Sequence, residues 1–128
     1  DCRLLPDQDV EVFLADLKTI INDDQITVQK LMNFTPAVSK TQTPLFKVIQ
    51  EVSAELYDAQ VVPTVSGGFT DSHFFRDLGI TSYGYSPFAF TVAEFSGVHG
   101  NDERISVENV VNGVKVYYRL LTKFVGEP

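Results

Sequence analysis

The sequence of 128 residues has little cysteine, little histidine and no tryptophan: it contains one Cys, two His and one Met. The single Cys2 excludes an internal disulfide, so the fold depends on its apolar core and suits a reducing compartment. We therefore expect a cytoplasmic protein in which Cys2 packs as a small buried hydrophobe.

Basic residues are also scarce, with 10 Lys and Arg against 17 Asp and Glu and a net charge of −7. This balance argues against a nucleic-acid partner and against an anionic membrane surface, since both need a basic patch. No apolar run approaches the roughly 18 residues that span a bilayer. We expect neither a nucleic acid nor a membrane as a partner. The length of the chain is that of a single domain.

The first third of the chain predicts a strand–helix–strand unit. Residues 2–5 and 26–32 favour strands, and apolar residues between them recur at helical spacing from Val10 to Ile21. The segment from Asn33 to Gln42 is rich in Thr, Pro, Ser and Lys, which is typical of a linker. This unit contains no residue that suggests catalysis.

The rest of the chain predicts an α/β layer. Thr43 and Pro44 are a favourable N-cap and first residue for a helix, and residues 61–65 and 81–85 favour strands. A short helix with Thr70 as N-cap lies between these strands, and an aromatic loop covers residues 86–96. Ser106 then caps a long helix that Gly126 closes.

Two interpretations fit the double-glycine turn, which consists of Gly67 and Gly68 followed by Thr70 and Asp71. Glycines between a strand and a helix let backbone N–H groups approach an anion closely, but the same residues also suit a plain turn with an N-cap. It lacks the Walker lysine and the third glycine of a dinucleotide fingerprint. Arg76 follows on the same helical face as His73 and either clamps a substrate carboxylate or pairs with a surface acid such as Asp77.

His99 lies between Gly97 and Gly100 on a predicted turn, just before the long helix. An imidazole presented on such a turn suits a metal ligand or a general base, with Asp102 or Glu103 orienting it. The alternative is a solvated turn with no chemical role. The sequence contains neither a nucleophile elbow nor a His-Glu-x-x-His motif.

Two motifs together resemble a known family. Residues 66–79 (SGGFTDSHFFRDLG) and 98–105 (VHGNDERI) are similar, in order and spacing, to the C-terminal part of the dinuclear-zinc amidohydrolases. This family includes glutamate carboxypeptidase, aminoacylase, acetylornithine deacetylase and succinyl-diaminopimelate desuccinylase. Residues 1–6 (DCRLLP) and the following helix resemble the second half of its lid or dimerisation domain.

The resemblance implies a fold and a set of roles. The fold would be α/β: half of a ferredoxin-like lid over residues 1–34, then the C-terminal part of a zinc-peptidase catalytic domain over residues 35–128. His99 would be the last zinc ligand, and Glu103 would either hydrogen-bond to the metal ligands without touching the metal or stabilise the turn. Substrate-binding residues would be Gly67, Gly68, Thr70, Asp71, His73 and Arg76, with the imidazole facing the same cleft as the double-glycine turn.

The family's remaining zinc ligands, its general-base Glu and its lid histidine have no counterpart in this sequence. We therefore expect a fragment of a peptidase or N-acyl-amino-acid deacylase that is inactive alone and binds zinc weakly or not at all, since a catalytic zinc needs about three protein ligands. Expected partners are a peptide or N-acyl amino acid, the missing N-terminal half and a second copy in a homo-oligomer. The alternative is a non-catalytic dimerisation module that keeps the family fold.

Overall fold

The computed structural model describes residues 1–126, and this part of the chain contains five helices. They are α1 (Val10–Ile21), α2 (Pro44–Tyr57), α3 (Ser72–Asp77), α4 (Val92–Ser96) and α5 (Val107–Val125). The predictions of α1, α2 and α5 are confirmed, and Gly126 ends α5 with a φ of 89°.

The predicted caps explain where the long helices begin. The Thr43 hydroxyl accepts a hydrogen bond from the Phe46 amide at 3.1 Å. The Ser106 hydroxyl accepts one from the Asn109 amide at 3.2 Å. Each bond satisfies a backbone donor that has no partner within the first helical turn.

Two of the shorter elements differ from the prediction. Helix α3 begins at Ser72 with Asp71, not Thr70, at the N-cap position, although the Thr70 hydroxyl still accepts the Ser72 amide at 3.3 Å. Helix α4 lies inside the predicted aromatic loop. Thr91 and Glu94 start it with a capping box, a pairing that the Thr-x-x-Glu spacing encodes.

The prediction of four strands is wrong. Residues 1–126 contain no strand and no part of the expected α/β sheet. A segment becomes a strand only when it exchanges hydrogen bonds with a neighbouring strand. A high content of β-branched residues favours an extended segment but does not provide that neighbour. The half ferredoxin-like lid is likewise absent from this part of the chain. Cys2 is exposed, which corrects its predicted burial, because the segment that carries it packs into no sheet.

The chain divides into two compact units. The first unit combines Asp1–Lys40 with Thr64–Gly84, and the second combines Thr41–Pro63 with the chain from Tyr85 onward. The predicted boundary between residues 1–34 and 35–128 separates two parts of a family domain arrangement, not two compact units, and it stays a prediction. Among residues 1–126, no helix is both long enough and apolar enough to cross a bilayer.

Helices α2 and α5 pack together and form the core of the second unit. The buried apolar side chains there are Phe46, Ile49, Val52, Val116 and Leu120. At the edge of this contact, Arg119 binds Glu55 at 3.0 Å and Lys123 binds Glu51 at 3.1 Å. Both pairs are partly exposed, so they orient the helices more than they stabilise them.

The segment after Tyr85 is fixed against this helix pair. The buried Asn109 carboxamide accepts the Ala89 amide at 3.0 Å and donates to the Ala89 carbonyl at 3.1 Å. Gly113 lets Phe88 lie directly on α5, since a Cβ at Gly113 would fall 2.2 Å from the Phe88 ring. The helix pair therefore determines where the chain enters α4 and the turn that carries His99.

Candidate functional site

His99 lies on a tight turn in the second unit, as predicted. Its φ is 62°, in the left-handed region that few residues other than glycine adopt. Its side chain is exposed, and the one side-chain hydrogen bond at His99 among the described residues uses its backbone amide, not a ring nitrogen. Gly100 closes the turn through its amide to the Gly97 carbonyl at 2.8 Å. This turn therefore presents an imidazole that its own neighbours leave free.

Glu103 supports His99 through the backbone. Its Oε2 accepts the His99 amide at 3.1 Å, so the carboxylate fixes the turn and leaves the ring unbound. The predicted supporting role of Glu103 has this geometric basis, and its role beside a metal stays a prediction. Asp102 offers only its backbone carbonyl in this network, to Arg104 at 3.4 Å.

Glu94 closes the whole loop that carries His99, a role that the sequence analysis missed. Its Oε2 accepts the Thr91 amide at 2.9 Å and the Thr91 hydroxyl at 2.8 Å. Its Oε1 accepts the Ser106 amide at 2.9 Å, twelve residues along the chain. One carboxylate thus joins the start of α4 to the start of α5, and we name this set of bonds the Glu94 bracket.

The hydrogen bonds of the Glu94 bracket stabilise the ionised form of the Glu94 carboxylate. The Thr91 amide, and after it the Thr91 hydroxyl and the Ser106 amide, lower the pKa of Glu94 below its ordinary value. Each of these donors stabilises the negative charge directly. The Glu94 bracket is therefore complete at neutral pH and is lost only when acid protonates the carboxylate.

The double-glycine turn belongs to the first unit. Neither Gly67 nor Gly68 has a positive φ, and a Cβ at Gly67 would meet no atom within 4 Å. The Gly68 amide donates to the Ser66 hydroxyl at 3.1 Å. Open space beside Gly67 and the exposed side chains of Thr70 and Asp71 are compatible with a ligand, and the anion-binding role of the turn stays a prediction.

His73 is packed inside an aromatic cluster, and it is 8% exposed. Its ring centroid lies 3.7 Å from that of Phe74, 4.2 Å from Phe34 and 4.8 Å from Phe69. Nδ1 donates to the Thr70 carbonyl at 3.0 Å. The other ring nitrogen, Nε2, is buried and has no partner. The predicted substrate contact of His73 therefore depends on that one nitrogen.

Arg76 binds backbone and hydroxyl oxygens within the first unit. Its Nε donates to the Ser39 hydroxyl at 3.1 Å and its Nη2 to the Ser82 carbonyl at 2.7 Å. No ion pair between Arg76 and Asp77 is found in the described part of the chain. Nη1 has no partner there, so the half-buried guanidinium keeps donors for a carboxylate.

The sequence-predicted site residues therefore fall into two groups. His99 and Glu103 are together in the second unit, and the double-glycine turn, His73 and Arg76 are together in the first. The common cleft that the resemblance implies stays a prediction.

The described residues do not form a metal site by themselves. Nowhere in residues 1–126 do three or more His, Cys, Asp or Glu side chains gather in a way that could hold a metal ion. The exposed, unbound imidazole of His99 fits the role of one ligand. A zinc site at His99 would need ligands beyond the groupings found in residues 1–126.

The sequence matches the model of peptidase family M20/M25/M40 over residues 5–123. It is 29% identical to the N-fatty-acyl-amino acid synthase/hydrolase PM20D1 of Mus musculus, over 94% of this chain and 25% of that protein. It is 28% identical to the probable carboxypeptidase S-like 2 of Dictyostelium discoideum, over 93% of this chain and 24% of that protein. Aminoacylase-1A of Rattus norvegicus is 26% identical, over 100% of this chain and 32% of that protein. The chain thus spans about a quarter to a third of the length of these relatives.

Proposed function

The chain belongs to peptidase family M20/M25/M40, a family of generally metal-dependent hydrolases, and on that basis we propose that it is part of a zinc-dependent amidohydrolase. The enzyme would be a peptidase or N-acyl-amino-acid deacylase that cleaves an amide bond next to a free carboxylate. The names of the relatives support this class, since they include a probable carboxypeptidase S-like protein, an aminoacylase and an N-fatty-acyl-amino acid synthase/hydrolase.

The observation that carries the proposal is the geometry of His99. An exposed imidazole without hydrogen-bond partners, on a left-handed backbone fixed by Glu103 and by the Glu94 bracket, is preorganised to bind something outside its own loop. We assign His99 as a zinc ligand. Bound zinc in such enzymes would acidify a water molecule and polarise the scissile carbonyl. The role of this chain would be to hold the imidazole of His99 in one position.

We assign substrate recognition to residues of the first unit. The free Nη1 of Arg76 would bind the substrate carboxylate, while the Ser39 and Ser82 oxygens hold the guanidinium plane. The turn formed by Gly67, Gly68, Thr70 and Asp71 would line the pocket beside it. His73 would contribute through Nε2, the ring nitrogen that has no partner.

The chain alone would be inactive, because one imidazole is too few ligands for a catalytic zinc. Titration calorimetry of the 128-residue chain with zinc should show weak binding or none. Tight stoichiometric uptake would contradict this part of the proposal.

The test of the activity uses the full-length enzyme. We expect it to hydrolyse N-acyl amino acids and to lose this activity when a chelator removes the metal. The matched control substrate is the same N-acyl amino acid with its carboxylate converted to a carboxamide, which we expect to be a poor substrate. Equal hydrolysis of both would remove the proposed recognition of a free carboxylate.

The second candidate is a non-catalytic dimerisation module, and one observation favours it. No residue of α1 is buried, and Ile20 is 80% exposed, so the first unit offers an apolar helix face for pairing between copies. The coding sequence upstream of residue 1 discriminates between the two. A His-x-Asp motif and a Glu-Glu pair there support the enzyme, and their absence supports the module. A homo-oligomer and a cytoplasmic location stay predictions in either case.

A further inference from the structure

The buried residues of α5 include a polar side chain, that of Asn109, which is 8% exposed. A buried carboxamide lowers stability unless its donor and its acceptor both have partners. Here both groups bind the same residue. The carboxamide oxygen accepts the Ala89 amide at 3.0 Å, and the carboxamide nitrogen donates to the Ala89 carbonyl at 3.1 Å. A paired contact of this kind fixes the orientation of the segment at Ala89 as well as its distance from α5.

The helix itself does not require an asparagine at this position. The backbone amide of Asn109 is already satisfied by the Ser106 hydroxyl at 3.2 Å. Asparagine is a poorer helix former than alanine or leucine. An apolar side chain of similar size would add to the buried core without a polar group to satisfy. The residue type at position 109 is therefore explained by the contact with Ala89.

A second contact holds the same segment one helical turn further along. A Cβ at Gly113 would lie 2.2 Å from the Phe88 ring, so this ring can lie on α5 only because position 113 is a glycine. Glycine in the middle of a helix is unfavourable, and the close approach of Phe88 explains its presence. Asn109 and Gly113 thus form one strip of α5 that holds Phe88 and Ala89. We name it the docking strip.

The docking strip anchors the loop that carries His99. This loop leaves α5's surface at Ala89 and returns to the helix at Ser106, just before Asn109. The Glu94 bracket joins its two arms, since the Glu94 carboxylate accepts the Ser106 amide at 2.9 Å. His99 lies between these two fastenings. The place to which the turn brings the imidazole therefore depends on the bonds at the base of the loop.

We infer that Asn109 is a positioning residue for His99: it fixes the start of the loop to α5 and thereby holds the turn that presents the imidazole. The effect of Asn109 on metal binding rests on the proposed function, whereas its effect on the turn does not. A metal ligand has to be held within about 0.5 Å of its productive position. Loss of the bonds to Ala89 should therefore weaken zinc binding although no ligand is removed.

Hydrogen exchange of the metal-free full-length enzyme tests the positioning role, and zinc titration tests its consequence. Asn109→Ala removes both bonds to Ala89. Asn112→Ala is the matched control, because the Asn112 side chain lies on the same helix and makes no hydrogen bond within residues 1–126. We expect the His99 amide to exchange roughly tenfold faster in Asn109→Ala and at the parent rate in Asn112→Ala. The Kd for zinc should rise roughly tenfold in Asn109→Ala alone.

Val52→Ala separates positioning from plain destabilisation. It removes buried methyl groups from the contact between α2 and α5, so it should lower the urea midpoint of the enzyme as Asn109→Ala does. The exchange of the His99 amide and the Kd for zinc should stay at the parent values. Should Asn109→Ala prevent folding, as judged by circular dichroism, Gly113→Ala supplies a second perturbation. It displaces the Phe88 ring while it raises helix propensity, so faster exchange at His99 would not come from a weaker helix.

An unchanged exchange rate of the His99 amide in the folded Asn109→Ala enzyme, or in Gly113→Ala where that variant takes its place, would overturn the inference. An equal increase in Val52→Ala would also overturn it. Faster exchange with an unchanged Kd for zinc would keep the positioning role of Asn109 and contradict the proposed metal role of His99. The failure of the inference and the failure of the proposed function are therefore distinguishable.

Discussion

The two histidines stand in similar sequence contexts and in opposite structural ones. His73 and His99 each lie near glycines and acidic residues. The structure buries His73 among three phenylalanines and ties its Nδ1 to the Thr70 carbonyl. It leaves the His99 ring exposed and unbound, and fixes only the backbone beneath it. The difference shows that a histidine on a turn is available to a ligand only when neighbouring residues neither pack against its ring nor hydrogen-bond to its ring nitrogens.

The largest expected difference between the two is in turnover. In the full-length enzyme, His99→Ala should lower kcat/KM for an N-acyl amino acid by more than about 100-fold, because it removes a zinc ligand. The matched variant His73→Phe keeps a ring in the aromatic cluster and should retain most of kcat. If His73 also contacts substrate through Nε2, His73→Phe will raise KM while leaving kcat nearly unchanged. Equal losses of kcat in both variants would remove the distinction.

Stability should show the opposite order. His73→Ala deletes a ring packed against Phe34, Phe69 and Phe74, and we expect it to lower the free energy of unfolding by about 2–4 kcal/mol. His99→Ala removes an exposed side chain and should change it by no more than about 0.5 kcal/mol. Urea unfolding of the 128-residue chain measures both. A destabilisation by His99→Ala as large as that by His73→Ala would show that the exposed ring has a packing role.

Arg76 tests whether the first unit recognises substrate at all. Arg76→Ala in the full-length enzyme should raise KM for carboxylate-bearing substrates by roughly 10- to 150-fold, since a charge-assisted hydrogen bond contributes on the order of 1.5–3 kcal/mol. Arg76→Lys keeps the charge and loses the planar fork, so it should recover only part of the affinity. The carboxamide substrate should be insensitive to both changes. An unchanged KM in Arg76→Ala would assign the guanidinium to holding Ser39 and Ser82 alone.

The smallest expected effect concerns the Glu94 bracket. Gln at this position keeps one acceptor oxygen and cannot serve both Thr91 and Ser106, so Glu94→Gln should speed hydrogen exchange of the Ser106 amide roughly fivefold at pH 7. Val92→Ala, on the exposed surface of the same short helix, is the control. Identical exchange in Glu94→Gln and the parent protein would show that the loop is held by other contacts.

The pH dependence follows from the lowered pKa of Glu94. A carboxyl whose folded pKa is depressed adds stability above its unfolded pKa, and this contribution is lost as pH falls through the folded value. The ordinary value is 4.5, so the parent protein should approach the behaviour of Glu94→Gln only below that pH. A loss of protection between pH 5 and 7 would contradict the assignment to Glu94.

The sequence was sufficient for features that depend on a few neighbouring residues. Thr43 and Ser106 predicted where two long helices begin, and Gly97 and Gly100 predicted the turn at His99, because caps and tight turns are local. The Thr91-x-x-Glu94 spacing also encodes a capping box, and attention to it would have identified α4 and the first half of the Glu94 bracket. The bond from Glu94 to Ser106 could not have been predicted, since it depends on how the loop closes.

Features that depend on distant partners were predicted poorly. Residues 61–65 and 81–85 have strand composition but no ladder in the described chain, because pairing needs a neighbour that composition does not specify. The burial of His73 likewise depends on Phe34, which lies far away in the sequence. The family assignment came from two motifs read in order, and the match over residues 5–123 confirms it.

Metal analysis of the full-length enzyme tests the role of His99 most directly. Parent, His73→Phe and His99→Ala proteins would be dialysed against metal-free buffer, and the zinc remaining per subunit would be measured. The account predicts that His73→Phe retains the zinc content of the parent and that His99→Ala retains less. A His99→Ala enzyme that is folded and holds as much zinc as its parent would contradict it.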